Sequence, residues 1–238
     1  METLEKRTIG EIVANNYRAA DVFKKYNIDF CCGGNKVLSD VCEQKKLNQT
    51  EIEIDLENIG KSTSKNHNFN KWKLDFLIDY IINEHHTYVN ENLPLILAYS
   101  NKVAAVHGDS HSETKIINKL FQEVNQELSL HMHKEEQVLF PYVKNLVSAQ
   151  NNQLEKPEVA FGKVQNPIKM MELEHENAGD LFKEIARLSN NYTPPADACQ
   201  TYQVLYTKLK EFEEDLHQHI HLENNILFPK AIELDENF

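Results

Sequence analysis

The sequence predicts an all-α protein, a small N-terminal helical domain followed by a four-helix bundle, and three observations predict it. Only seven Gly and seven Pro punctuate 238 residues, a scarcity that favours long uninterrupted helices over a turn-rich β architecture. Apolar residues recur in steps of four and three, as in Ile117, Phe121, Val124, Leu128 and in Leu205, Leu209, Phe212, Leu216, which is the seam spacing of packed helices. One segment occurs twice: His131-Met-His-Lys-Glu135-Glu-Gln-Val-Leu-Phe-Pro141 returns 88 residues later as His219-Ile-His-Leu-Glu223-Asn-Asn-Ile-Leu-Phe-Pro229.

Residues 1–60 form the predicted N-terminal domain. Thr8-Ile-Gly-Glu11 is a capping box opening a short helix. Ala19, Ala20, Phe23 and Tyr26 continue an apolar stripe until Asp29-Phe-Cys31-Cys32-Gly33-Gly34-Asn35 breaks it. Short helices are expected over about 36–46 and 49–59, and the small, polar, unpatterned residues 61–70 read as a linker.

The bundle is expected over 71–238. Its first helix covers about 71–107 and holds Pro94, a residue that can kink a helix. The second carries the seam Ile117, Phe121, Val124, Leu128, His131, Glu135, Val138, and the fourth repeats it as Leu205, Leu209, Phe212, Leu216, His219, Glu223, Ile226. The third has Ile168, Met171, His175, Ala178, Phe182 and Ile185. Offsetting that helix by 89 residues lays Ile82, His86, Val89, Leu93 and Ile96 on its seam; the offset that selects His85 instead brings in Tyr88 and Asn92. His86 is therefore the better fit. Residues 149–164, polar with Pro157 and Gly162, read as a loop joining two halves. His86 and His131 are 45 residues apart, His175 and His219 44 apart, so the halves look like an internal duplication.

Polar residues occupy seam positions that should be apolar, and this is where the chemistry points. His and Glu four residues apart leave one face of a helix one turn apart. A single such pair is equally an ordinary surface contact. Four His and two Glu in the seams of four helices would cost roughly 1–3 kcal/mol each if buried without partners. A metal centre supplies partners for His86, His131, Glu135, His175, His219 and Glu223 together; a buried hydrogen-bonded polar layer is the alternative. Imidazole and carboxylate without thiolate suit iron or manganese rather than zinc, and paired carboxylates in a bundle core suit a dinuclear site. The expected cofactor is two non-haem iron ions with an oxo or hydroxo bridge and with Glu135 and Glu223 bridging; manganese is the alternative.

Other residues carry weaker signals. His133 and His221, two positions from the seam His, are expected to face solvent. His67, His107, His111 and His217 have no seam placement. Glu127, one turn before His131, and Glu174, next to His175, are candidates to orient a ligand or relay protons, with a surface position equally open. Cys31 and Cys32 followed by Gly33-Gly34 place thiols at a turn that is expected to open the next helix, where the helix dipole would favour thiolate for redox or iron relay. Two small buried hydrophobes at a turn is the plain alternative. Cys42 and Cys199 are expected in the core.

The formal charge of −12 and pI near 5.4 argue against nucleic acid. No run of 18 apolar residues suggests a membrane span, the start METLEKRTIGE lacks the apolar stretch of a secretory signal, and four Cys do not suggest a disulfide framework. A reduced cytoplasm is the expected compartment.

Asn27-Ile-Asp-Phe-Cys31-Cys32-Gly33-Gly34 after Val22-Phe-Lys-Lys-Tyr26, with the two His-x-His segments, Glu174-His175-Glu-Asn-Ala-Gly179 and Thr193-Pro-Pro195, closely resembles the bacterial iron-sulfur cluster repair di-iron proteins (the RIC family). The resemblance covers essentially the whole chain. It implies a double-cysteine N-terminal domain and a hemerythrin-like up-down four-helix bundle, acting in the cytoplasm under nitrosative and oxidative stress to restore clusters damaged by nitric oxide or oxidants. It implies the same six iron ligands, with the two Glu bridging, and a non-ligand position for His85 where the family often has Tyr. It also strengthens Glu127 and Glu174 as carboxylates near the iron. The 149–164 loop is longer than the family leads one to expect. Implied partners are damaged iron-sulfur proteins and the small ligands nitric oxide or dioxygen, with no nucleic acid and no membrane; a homodimer is left open. Whether the chain is an enzyme is left open too. Iron donation or redox cycling leads, with nitric oxide reduction, or a hemerythrin-like reversible binder or sensor of dioxygen or nitric oxide, as alternatives. Oxygen-carrying hemerythrins have an additional His beyond the four seam His here, and a carrier would not need the double-cysteine domain.

Overall fold

A computed structural model describes residues 6–60 and 68–238. The expected linker falls outside the described residues over 61–67, and His67 with it. Among the described residues the regular structure is helical, with an isolated β-bridge between Thr8 and Val37. The all-α expectation holds.

The chain forms two compact units, one of residues up to Ile78 together with His217–Phe238, the other Asp79–Leu216. In the first, α1 (Ile9–Asn15) starts at the expected capping box: Thr8 Oγ1 accepts from the Glu11 amide, and Glu11 Oε2 accepts from the Thr8 amide at 2.8 Å. Helices α2 (Ala19–Lys25), α3 (Leu38–Lys45) and α4 (Gln49–Gly60) follow. They bury Phe23, Leu38, Val41 and Ile52. Lys25 and Tyr26 both bond Asp55, tying α2 to α4.

Four long rods follow, and their Asp79–Leu216 portion is the second unit. The first is α5 (Leu74–Tyr80), a π turn (Ile81–His86) and α6 (Thr87–His107), which is α-helical straight through Pro94. The second is α7 (Glu113–Lys134), a π turn (Glu135–Leu139) and α8 (Phe140–Asn152). The third is α9 (Gln165–Leu188). The fourth starts with α10 (Gln200–Leu222), followed by a π turn (Glu223–Leu227) and α11 (Phe228–Glu236), whose last part belongs to the first unit. Helix α8 extends to Asn152, four residues into the stretch expected to be loop, because Ala149 still faces the core.

Side-chain pairs set the directions of the rods. His86 meets Glu136 while Gln122 meets Asn101, so the first two rods run antiparallel. His131 meets His175 while Phe121 meets Phe182, so α7 and α9 are antiparallel too. His107 meets Cys199 and His85 meets Asp215, which does the same for the first and fourth. This is the up-down bundle. Phe121, Phe182 and Phe212, one from each of three rods and all fully buried, interlock with ring centroids 5.6–6.5 Å apart; truncating any one to Ala costs about 3–5 kcal/mol.

The seams read from the sequence need two corrections. Ile82 is only half-buried and Ile81 takes its place, and Val138 is 47% exposed while Leu139 is buried. Both shifts fall in π turns, which spend an extra residue per turn and so rotate the buried face by one position.

Candidate metal centre

Each π turn carries a residue with metal-ligating chemistry. In two of them the amide of Phe140 donates to the carbonyl of Glu135, and that of Phe228 to Glu223, five residues back. Pro141 and Pro229 come next. A proline offers no amide to the carbonyl one turn behind it, so the α ladder is interrupted there and the wide turn absorbs the break. The third π turn ends on His86 after burying His85, and the added residue is what lets both histidines face inward.

The six seam residues are all buried: Glu135 and Glu223 have no exposure, and His86, His131, His175 and His219 are 2% exposed or less. Nε2 of His86 lies 3.4 Å, and Nε2 of His131 3.3 Å, from Glu135 Oε2. Nε2 of His219 is 3.2 Å from Glu223 Oε1, and the Nε2 atoms of His131 and His175 are 3.0 Å apart. The other ring nitrogens of His86 and His131 point away. Nδ1 of His86 is 2.7 Å from Glu136 Oε1, and Nδ1 of His131 is 2.9 Å from Glu174 Oε2. A carboxylate on Nδ1 holds the proton there and leaves Nε2 a bare donor, the arrangement metal-binding imidazoles use. The His131 imidazole, with Lys134 behind it, draws the Glu174 carboxyl down to about 2.

His86, His131, Glu135, His175, His219 and Glu223 are side chains that could hold a metal ion. Two carboxylates taken wholly out of water are costly unless positive charge meets them, and neutral imidazoles cannot supply it. Two divalent or trivalent cations can, so the donor set suits a dinuclear site for iron or manganese.

The remaining candidates divide. Glu174 lies against His131, whereas Glu127 is half-exposed and accepts from Asn177 Nδ2 at 2.6 Å. His133 is exposed as expected; His221 is not, being fully buried against Tyr17 and Phe30. The face of the fourth rod that the heptad would leave to solvent is covered here by N-terminal residues. Cys42 is buried, but Cys199 is exposed at the start of the fourth rod, 3.2 Å from His107 Nε2. His85 binds Asp215 at 3.0 Å, and His111 binds Asp197.

Cys31 and Cys32 do not open a helix, since α3 starts only at Leu38. They sit in a turn organised by Asp29, whose Oδ1 accepts from the amides of Cys31, Cys32 and Gly33 at 3.0–3.2 Å. Cys31 is buried and Cys32 half-buried, with their sulfurs 3.9 Å apart. The Cys32 thiol, burial and the Asp29 carboxylate push the Cys31 thiol well above its ordinary value. The expected thiolate at Cys31 is thus overturned: no helix dipole is there, and the nearest charge is negative. Asp29, Cys31 and Cys32 nevertheless bring ligating atoms within 4.8 Å of one another.

Glu136, Asp215 and Asn225 escaped the sequence reading. Each meets a partner at least 50 residues away, and nothing local marks it.

The hemerythrin HHE cation binding domain family matches residues 77–231, and a domain of unknown function, DUF542 (ScdA_N), matches residues 5–59. The chain is similar to the iron-sulfur cluster repair protein YtfE of Shigella boydii, 38% identical over 224 residues that make up 94% of this chain and 96% of the relative. It is 37% identical over 227 residues to the protein of that name from Citrobacter koseri, with the same coverage. To that from Escherichia coli O8 it is 38% identical over 224 residues. No helix among the described residues is long and apolar enough to cross a membrane.

Proposed function

Because the chain belongs to the family of iron-sulfur cluster repair proteins, a DUF542 domain followed by a hemerythrin HHE domain, we propose that it restores damaged iron-sulfur clusters through a di-iron centre. The observation that carries this reading is the burial of six side chains with metal-ligating chemistry, two carboxylates and four imidazoles, on seams that are otherwise apolar. His86, His131, Glu135, His175, His219 and Glu223 would hold the iron. Bound iron supplies Fe(II)/Fe(III) redox chemistry and a stock of metal for cluster reassembly.

The chain's own residues do the rest. Glu136 and Glu174 keep the Nδ1 protons of His86 and His131 and so aim both Nε2 atoms inward. Lys134 neutralises Glu174 on its outer side. Burial of the six ligands excludes water and slows loss of metal. Cys31 and Cys32, reduced and clustered with Asp29, are the relay by which iron or electrons pass toward a damaged cluster; half-exposed Cys32 is the entry point. Residues 1–60 serve as the relay domain and 71–238 as the di-iron bundle. We place the protein in the cytoplasm, with damaged iron-sulfur proteins as partners and nitric oxide or dioxygen as small ligands of the same centre.

The test loads the protein with iron and adds an oxidatively damaged aconitase-type dehydratase. Recovery should exceed that given by an equal amount of free Fe(II), and Glu135→Ala combined with Glu223→Ala should hold no iron and give none of the excess. Recovery no better than with free iron would overturn the repair reading; a wild type purified and reconstituted without two metals would overturn the centre.

A further inference from the structure

The duplicated segment contains its own internal control. His133 and His221 are equivalent across the 88-residue repeat, and so are Gln137 and Asn225. In the first copy His133 and Gln137 are exposed; in the second His221 is fully buried and Asn225 half-buried. The cysteine turn accounts for the difference. Asn225 Nδ2 donates to the carbonyls of Phe30 at 3.2 Å and Cys31 at 3.1 Å, and lies 3.1 Å from Nδ1 of His221.

The fit around this amide is close on both sides. A Cβ placed on Gly10 or on Gly34 would lie 2.2 Å from Asn225 Oδ1, and the two glycines are themselves joined by a 2.7 Å bond from the Gly10 amide to the Gly34 carbonyl. On its far side the turn is pinned by Asp29 through three amides. Asn225 stands two residues after Glu223 in the same π turn. Holding Glu223 in place does not require it, since Glu135 does without an equivalent.

We propose that Asn225 is a positioning residue that couples the Cys31–Cys32 turn to the His219–Glu223 arm, so that metal on the arm restrains the thiols and modification of the thiols loosens the metal. The coupling rests on the reading of His219 and Glu223 as ligands. Metal on Glu223 fixes the π turn, the π turn fixes Asn225, and Asn225 fixes the two carbonyls that bracket the first sulfur. Opening of the turn, which alkylation requires, then becomes rarer. Linkage makes the effect reciprocal.

The experiment measures alkylation of Cys31 and Cys32 by iodoacetamide in the full-length protein, without oxygen, with and without Fe(II), and determines iron content on the same samples. Loaded wild type should react at least about fivefold more slowly than the metal-free protein, and pre-alkylated wild type should release iron faster by a similar factor. Asn225→Ala and the isosteric Asn225→Asp, which lacks the N–H donor, should lose the difference, while Gln137→Ala should keep it. Equal rates in iron-bearing wild type would overturn the coupling and leave the ligand assignment standing. Full protection in both Asn225 variants would also overturn it, because metal would then be shielding the thiols directly. Wild type that binds no iron would overturn the ligand assignment and the coupling with it.

Discussion

Nδ1 of His86 lies 2.7 Å from Oε1 of Glu136, so the residue beside Glu135 orients the imidazole that approaches that carboxylate. Glu174 does the same for His131 at 2.9 Å. A carboxylate in this position fixes the tautomer and raises the basicity of the facing nitrogen, and its loss ordinarily costs about 10–100-fold in metal affinity. Glu136→Ala and Glu174→Ala should each weaken iron binding within that range, measured by competition with a chelator of known affinity. Unchanged affinity in both would show that the imidazoles are held by packing alone.

His85 and His86 are both buried, and His86 approaches Glu135. His85 instead binds Asp215 at 3.0 Å. His85→Phe should keep the full iron content and lower stability by about 1–3 kcal/mol, the cost of removing one partner from a largely buried hydrogen bond. His86→Phe should lose iron. Metal analysis alongside urea unfolding separates the two, and loss of iron from His85→Phe would reverse the assignment.

The bundle and its candidate ligands could be picked out in the chain because both are local patterns. His131, Glu135, His175, His219 and Glu223 stood out as polar residues on seams whose other members, such as Phe121 and Phe212, are apolar. The π turns could not be read, since Ile81-Ile82 and Val138-Leu139 are apolar pairs that hide a one-residue shift of the buried face. The Phe-Pro ending each repeat is the one local cue to them. Partners that arrive from elsewhere in the sequence stayed invisible, as with Glu136 on His86, Asp215 on His85 and Phe30 on His221. The thiolate expected at Cys31 fails because the next helix starts only at Leu38.

At the end of the bundle where His107 meets Cys199, His111 pairs with Asp197 at 3.0 Å. The Asp197 hydrogen bond, aided by Glu113, raises His111 above 6.5, and His111 in turn lowers Asp197 below 3.8. A raised His stabilises the fold fully below its unfolded value and ceases to do so as pH rises through the folded one; a lowered Asp stabilises above its unfolded value and fails as pH falls through the folded one. The pair therefore contributes between about 3.8 and 6.5 and fades on either side. Asp197 is exposed and His111 half-buried, so the effect is small and weakened by salt. NMR titration should find the His111 value above 6.5 in the wild type and near it in Asp197→Asn; an unmoved value would remove the pair as the cause.

Gly34 has all three of its nearest neighbours on the side chain of Asn225, with Oδ1 2.2 Å from where a Cβ would stand. Its backbone does not need glycine, since Gly162 is the glycine with positive φ, so the clash alone should decide what Gly34→Ala does. Overpacking of this kind costs about 1–3 kcal/mol, which in a chain of this size lowers the melting temperature by roughly 2–4 °C per kcal/mol. In an Asn225→Ala background the obstructing atoms are gone. The same Gly34→Ala change should then cost less than half as much, giving a coupling energy above the roughly 0.5 kcal/mol scatter of independent sites. Thermal melts of the two single variants, the double variant and the wild type complete the cycle. Additive effects would mean that Gly34 is constrained by something other than Asn225, and that the cysteine turn is free of the grip assigned to that side chain.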